Sequence, residues 1–302
     1  MKIILAGKQD RAVVCLKALL ENNYQVIEVI TPKNDPKGFW YPSLSETAQK
    51  NKLPIFAPDN INTSSSIEHL RKLRPDIVIL SGYTQIIKKP LLSIPSYGFI
   101  NLHGGKLPEY RGSSTLNWMI INGETEGGIS IIKVDEGIDT GPILGQEKFP
   151  IKQTDTIVDV VNKTLKLFPE LLLQVLKEIS KGTIREEKQN PEEGSYYHSR
   201  KPEDGRIFWH EMNDKDVYNL IRALIYPYPG AFCFYKTRKL LCWKAEILNE
   251  TIKGIPGRIA KKTDKGIAVV CKNRAVLLTE IQFENQKRRN PRELFSIGEN
   301  LS

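Results

Sequence analysis

Cysteine and histidine are scarce in this 302-residue chain, at four residues each. The cysteines (Cys15, Cys233, Cys242 and Cys271) are scattered, with no C-x-x-C pair. That argues against a disulfide framework and against a cysteine zinc site, so no metal is expected. No apolar run approaches the roughly 18 residues that cross a bilayer, which excludes a membrane-spanning role. The opening Met1-Lys2-Ile3-Ile4-Leu5-Ala6-Gly7 turns polar too soon for the apolar core of a signal peptide, and the expected location is the cytoplasm. Glycine is thin where a dinucleotide fingerprint would need it. The first strand-to-helix turn reads Gly7-Lys8-Gln9-Asp10-Arg11-Ala12 and keeps one glycine of the three in G-x-G-x-x-G. A nicotinamide-dependent dehydrogenase thereby loses its main support.

What is present suits a globular protein: 40% hydrophobic and 26% charged residues, at a length that corresponds to about two domains. Buried-type strands over 2–6, 25–31, 76–81 and 99–103 alternate with amphipathic helices over 11–22, 44–51 and 65–73. This pattern predicts parallel βαβ units with ligands at the carboxyl ends of the strands. A mixed strand over 128–134 and a turn over 135–141 follow. The strongest helix spans 154–180, with Thr154 or Asp155 as its cap and Gly182 as its stop. Residues 185–194 are polar and contain proline and glycine, as a linker would. Beyond them, a helix over 214–224 precedes short strands over 230–235, 240–247, 257–261, 266–271 and 275–283. Such spacing predicts a small OB-like β-barrel. The net charge is +9, and residues 251–302 hold 11 basic against 5 acidic residues. A basic end of this kind is a solubilising surface or an attraction for nucleic acid and anionic small molecules.

Of the histidines, His69 falls on a surface helix, and His198 and His210 fall in polar or boundary stretches. His103 ends an apolar strand as Asn101-Leu102-His103, directly before Gly104-Gly105. Side chains two apart on a strand share a face, so Asn101 and His103 point the same way. An imidazole takes a proton near neutral pH, and an amide donates to a developing oxyanion. A histidine so used needs an orienting acceptor, and Asp139, in the glycine-containing turn 135–141, is the candidate. The same residues could instead satisfy local loop backbone.

The run Asn101-Leu102-His103-Gly104-Gly105-Lys106-Leu107-Pro108-Glu109-Tyr110-Arg111-Gly112, followed by Asp139-Thr140-Gly141, resembles the folate-dependent formyltransferases. Their signature is an Asn, a His two residues on, an L-P-x-x-R-G segment and a later D-x-G turn. Further shared stretches are 57–62, Asn117-Trp118, 122–126, 202–205 and 227–232. Within the family, the likeness is to nucleotide-sugar N-formyltransferases, especially the formyltransferase part of the aminoarabinose–lipid A enzyme. Methionyl-tRNA formyltransferase is the related alternative.

The resemblance implies an α/β architecture: a Rossmann-like formyltransferase domain with a parallel-rich sheet (1–188), a linker (189–205) and a C-terminal OB-like domain (206–302). It implies that N10-formyl-tetrahydrofolate, as co-substrate, donates a formyl group to an amine, with Asn101, His103 and Asp139 as catalytic residues. Asp139 is expected to raise the pKa of His103. The folate is expected along Gly82, Tyr83, Thr84, Gln85, Ile86 and Ile87, with Asp139 beside it. The acceptor is expected to be a UDP-linked 4-amino sugar for cell-surface glycans, met by Arg111, Asn117 and Arg200. No nucleic-acid partner is expected, because the loop 33–40 carries only two basic residues, too few to hold an acceptor stem through its phosphates. Position 105 is glycine where serine is commoner in the family.

Overall fold

A computed structural model describes residues 1–302, apart from the side chain of Pro191. In chain order the elements begin β1 (Lys2–Gly7), α1 (Gln9–Glu21), β2 (Gln25–Ile30), α2 (Leu44–Lys50), β3 (Ile55–Phe56), α3 (Ser64–Leu73), β4 (Ile77–Ser81), α4 (Lys89–Leu92) and β5 (Phe99–His103). Then come β6 (Arg111–Gly112), α5 (Thr115–Ile121), β7 (Glu126–Lys133), β8 (Ile143–Pro150), α6 (Ile157–Lys181) and β9 (Tyr196–Tyr197). The chain closes with α7 (Asp214–Ala223), β10 (Ala231–Tyr235), β11 (Arg238–Ile247), β12 (Ile259–Lys262), β13 (Ile267–Val270) and β14 (Ala275–Phe283).

Two compact units result: residues 1–112, 127–149 and 162–197 form one, and residues 113–126, 150–161 and 198–302 the other. The first is built on a seven-stranded sheet ordered β3-β2-β1-β4-β5-β7-β8. Neighbouring strands from β3 to β5 run parallel, whereas β7 lies antiparallel to β5. The near-continuous apolar character of β1 and β4 reflects burial on both faces, as parallel sheets require. On one face Ile4, Ala6, Val78, Leu80 and Phe99 pack with Ile61, Leu70, Ile87 and Leu91. Fully burying each such side chain contributes about 2 kcal/mol. In the second unit, where a small OB-like barrel is expected, the strands form a five-stranded antiparallel sheet ordered β10-β11-β14-β13-β12. Its helix α7 starts at a reciprocal cap in which the Asn213 side chain accepts from the Asp216 N–H and Asp216 from the Asn213 N–H.

Several expectations shift. The long helix α6 starts at Ile157, and its cap is Thr156: the Val160 N–H donates to the Thr156 carbonyl, and the Thr156 N–H and hydroxyl donate to Asp159. Asp155 instead accepts from the Lys152 N–H. Helix α5 had no periodic signal, because five of its seven residues (Thr115, Leu116, Asn117, Met119 and Ile120) are buried. Strand β8 was also missed; its exposed centre, Glu147 and Lys148, breaks the apolar pattern. The loop 32–42 is irregular, as its prolines suggest, but it is anchored. Buried Asp10 accepts backbone N–H bonds from Phe39 (2.8 Å), Trp40 (3.3 Å) and Tyr41 (2.9 Å). Among the described residues no helix is long and apolar enough to cross a membrane.

Candidate active site

Strand β5 lies inside the sheet, between β4 and β7, so its carboxyl end delivers side chains to the edge where doubly wound sheets bind ligands. Asn101 pairs with Leu80 on one side and Ile132 on the other, and His103 lies opposite Ser130. The shared face holds as expected. Asn101 Nδ2 donates to Asp139 Oδ1 at 3.1 Å, and His103 Nδ1 lies 3.3 Å from Asp139 Oδ2. Asp139 Oδ2 also accepts the Gly112 N–H at 3.0 Å. Asp139 itself adopts the left-handed region, with φ +54°, at a cost of about 1 kcal/mol for a residue with a Cβ. Its turn is held by Asp135, which accepts from the Gly137 N–H and the Thr140 hydroxyl. The turn glycines make this closure possible: a Cβ on Gly137 would strike the Thr140 side chain, and one on Gly141 the Lys133 carbonyl.

The other ring nitrogen of His103, Nε2, sits 2.6 Å from the Tyr110 carbonyl. The loop that brings this carbonyl in is pinned by fully buried Ser130, whose hydroxyl donates to the Gly105 carbonyl (2.7 Å) and accepts from the Leu107 N–H (3.3 Å). Gly105 lets the loop close tightly on the ring in this chain. A Cβ there would lie 2.5 Å from His103 Nε2 and collide with the Tyr110 carbonyl. Both ring nitrogens therefore face acceptors, which only the imidazolium can satisfy together. Burial, the largest influence, opposes that cation and holds the His103 pKa below the ordinary histidine value; Asp139 and the Tyr110 carbonyl pull it up, and Arg11 pushes it down. The expected rise from Asp139 is thus present but outweighed by desolvation. Arg11, which sequence reasoning missed, donates Nη1 to the Leu102 carbonyl at 2.9 Å.

The loop from Gly82 to Ile87 follows β4. Gly82 has φ +69°, Thr84 is exposed and so is Ile86, at 64%. Gln85 is occupied by the fold, accepting from the Ile61 N–H and donating to the Asp59 carbonyl. Asn62 donates to the Ile86 carbonyl and accepts from the Lys88 N–H. Ile87 is in the core. At the start of the loop, the Ser81 and Tyr83 hydroxyls are buried without a hydrogen-bond partner, and burial pushes the Tyr83 phenol up to about 12. Two unsatisfied hydroxyls here fit a ligand with a polar ring edge.

The three expected substrate residues lie apart from this cluster in kind. Arg111 begins β6, its N–H donating to the Ser195 carbonyl. Asn117 is buried in α5, and its Nδ2 donates to the Ala223 carbonyl at 2.8 Å. Arg200 donates to the Asp204 carbonyl at 2.6 Å and lies 4.6 Å over the Trp118 ring; burial lowers its pKa, with Asp204 opposing. Among the described residues no His, Cys, Asp and Glu group could hold a metal ion.

Comparison with known proteins follows this geometry. Residues 1–176 match the formyl transferase family, and residues 200–297 match the formyl transferase C-terminal domain. The chain is 34% identical over 300 residues to the bifunctional polymyxin resistance protein ArnA of Wigglesworthia glossinidia brevipalpis, covering 99% of this chain but only 45% of that protein. It is 33% identical to the methionyl-tRNA formyltransferase of Caldanaerobacter subterraneus subsp. tengcongensis, covering 100% of this chain and 98% of that one. Among solved structures it superposes on WlaRD, a sugar 3N-formyl transferase crystallised with dTDP and 5-N-formyl-THF, with TM-score 0.70 and 26% identity over 95% of this chain and 99% of that one. An N-formyltransferase of Helicobacter canadensis, in complex with folinic acid and dTDP-3-aminofucose, gives TM-score 0.70 and 27% identity over 94% of this chain and all of that one. With the matched domains accounting for most of its length, this chain belongs to the formyl transferase family and is a formyltransferase.

Proposed function

We propose that this enzyme transfers a formyl group from N10-formyl-tetrahydrofolate to the amine of a nucleotide-linked amino sugar. The observation that carries the chemistry is the convergence of Asn101 and His103 on Asp139. Sugar N-formyltransferases among the solved relatives support the acceptor class. N10-formyl-tetrahydrofolate would supply the formyl group: the amine nitrogen bonds to the formyl carbon, the carbon–N10 bond breaks, and N10 takes up the proton lost by the amine as tetrahydrofolate leaves. The loop from Gly82 to Ile87, which opens on the unpartnered Ser81 and Tyr83 hydroxyls, would hold it.

His103 serves as general base. Burial disfavours the imidazolium and so favours the unprotonated ring, the form that can accept a proton from the amine. Nδ1 faces Asp139, which leaves Nε2, 2.6 Å from the Tyr110 carbonyl, as the nitrogen that accepts the proton. Asp139 then stabilises the imidazolium. Asn101 commits one amide hydrogen to Asp139 and turns the other to the oxygen on which charge develops, a contact worth about 3 kcal/mol in the transition state. Arg111 and Arg200 are each chemically suited to a phosphate, because a guanidinium fork donates two bonds to it.

A second reading, methionyl-tRNA as acceptor, is favoured by the full-length likeness to methionyl-tRNA formyltransferases. Against it stand the few basic residues of the loop 33–40 and the pairing of the basic tail. Lys261 faces Glu250, Lys265 Glu246, Arg288 Glu280 and Arg292 Asp264. Formyl transfer with UDP-linked 4-amino, dTDP-linked 3-amino and dTDP-linked 4-amino sugars, and with methionyl-tRNA alongside, separates the readings by product mass. Transfer to one sugar is the expected result. Transfer to methionyl-tRNA alone overturns it.

A further inference from the structure

We infer that Gln189 is a positioning residue for formyl transfer, the anchor of a strap over residues 189–197 that braces both sides of the catalytic cluster. Its Nε2 donates to the Asp139 carbonyl at 2.9 Å and to the Gly141 carbonyl at 2.6 Å. One side-chain amide thereby spans the turn in which Asp139 is held at φ +54°. A left-handed residue with a Cβ persists only where its surroundings over-determine it, and Gln189 supplies that constraint from 50 residues away.

The same strap grips the loop on the other side of His103. Gly194 lies against Pro108, close enough that a Cβ would meet the Pro108 carbonyl. The Arg111 N–H donates to the Ser195 carbonyl at 3.0 Å, and β6 pairs in parallel with β9, Arg111 beside Tyr196 and Gly112 beside Tyr197. The Tyr110 and Tyr197 rings stack at 4.9 Å with an interplanar angle of 6°. One continuous segment therefore fixes the turn that carries the carboxylate and the loop that presents the Tyr110 carbonyl to Nε2. Two acceptors of one imidazole, the Asp139 carboxylate and the Tyr110 carbonyl, held by one segment keep a constant separation, and a misplacement of about 1 Å in such a group costs on the order of 100-fold in rate.

The inference rests on His103 as base and Asp139 as its orienting carboxylate, and the experiment separates the two. Gln189→Met keeps the length and packing of the side chain and removes both N–H donors. Its kcat is expected to fall at least tenfold, with KM for both substrates within about threefold. By NMR, the His103 imidazole is expected to titrate at lower pH than in the unaltered enzyme, because Asp139 no longer holds its place while Arg11 is unchanged. Unaltered kcat together with an unaltered titration overturns the inference. So does a loss of activity that merely tracks a lower melting temperature with the titration unmoved. A His103→Ala enzyme of normal turnover would refute the base assignment, whereas the titration reads the strap independently of turnover. In the unaltered protein the Gln189 side-chain amide protons are expected to exchange slowly with solvent. Free exchange there overturns the inference without any variant.

Discussion

The expected site residues of the two units are held differently. In the first, Asn101 and His103, both on β5, converge on the Asp139 carboxylate from the turn after β7. In the second, buried Asn117 binds a backbone carbonyl of its own unit, Ala223, as residues that hold a fold together do. A cluster satisfied mainly by itself loses function when a member is removed. A side chain that satisfies a backbone group loses stability.

The comparison breaks most sharply at His103. His103→Ala should lower kcat by about 10²–10⁴-fold with little change in melting temperature. A variant that unfolds, or that turns over normally, would place His103 with the structural group. Asn117→Ala should behave in reverse, leaving the Ala223 carbonyl without its donor and lowering unfolding free energy by about 1–3 kcal/mol in denaturant titrations. A Gly105→Ala change tests how tightly the loop closes on the base. The added methyl cannot share space with the Tyr110 carbonyl, so a stability loss of about 1–3 kcal/mol is expected together with slower turnover.

A subtler test is pH. The folded-state pKa of His103 is depressed, so the unfolded chain binds the extra proton first on acidification. The stability that His103 contributes is complete above the unfolded value of about 6.5 and is lost as pH falls from there through the lower folded value. The acid limb of kcat/KM should likewise lie below about 6.5. Finding it above that value would show that Asp139, rather than burial, governs the ring. The smallest expected response is that of the thiols. All four cysteines are buried, and burial pushes Cys15 and Cys271 up to about 12. Alkylation of the folded enzyme at pH 7 should be negligible and appear only with denaturant.

Much of the first unit was legible in order. Strand period put Asn101 and His103 on one face, and apolar runs with Gly, Ser and Thr punctuation marked most strands and helices of both units. Helix α5 was not legible, because near-complete burial erases the periodicity by which helices are read. The segment 185–194 reads as a polar linker, yet Gln189 bonds to the turn that carries Asp139 and Gly194 lies against Pro108. Nothing local distinguishes a glutamine that binds two carbonyls from one that faces water.

By itself, then, the sequence determined the chemistry on offer: an amide and an imidazole two residues apart at a strand end, and an aspartate in a glycine-bearing turn. These are short-range facts, set by strand geometry and by the φ values a residue can adopt. Only the tertiary structure decided that β7 pairs antiparallel beside β5, so that the turn after it swings Asp139 onto both side chains. It also decided the sign of the His103 shift. Desolvation depends on everything packed around the ring, and that sum exists only once the chain has folded.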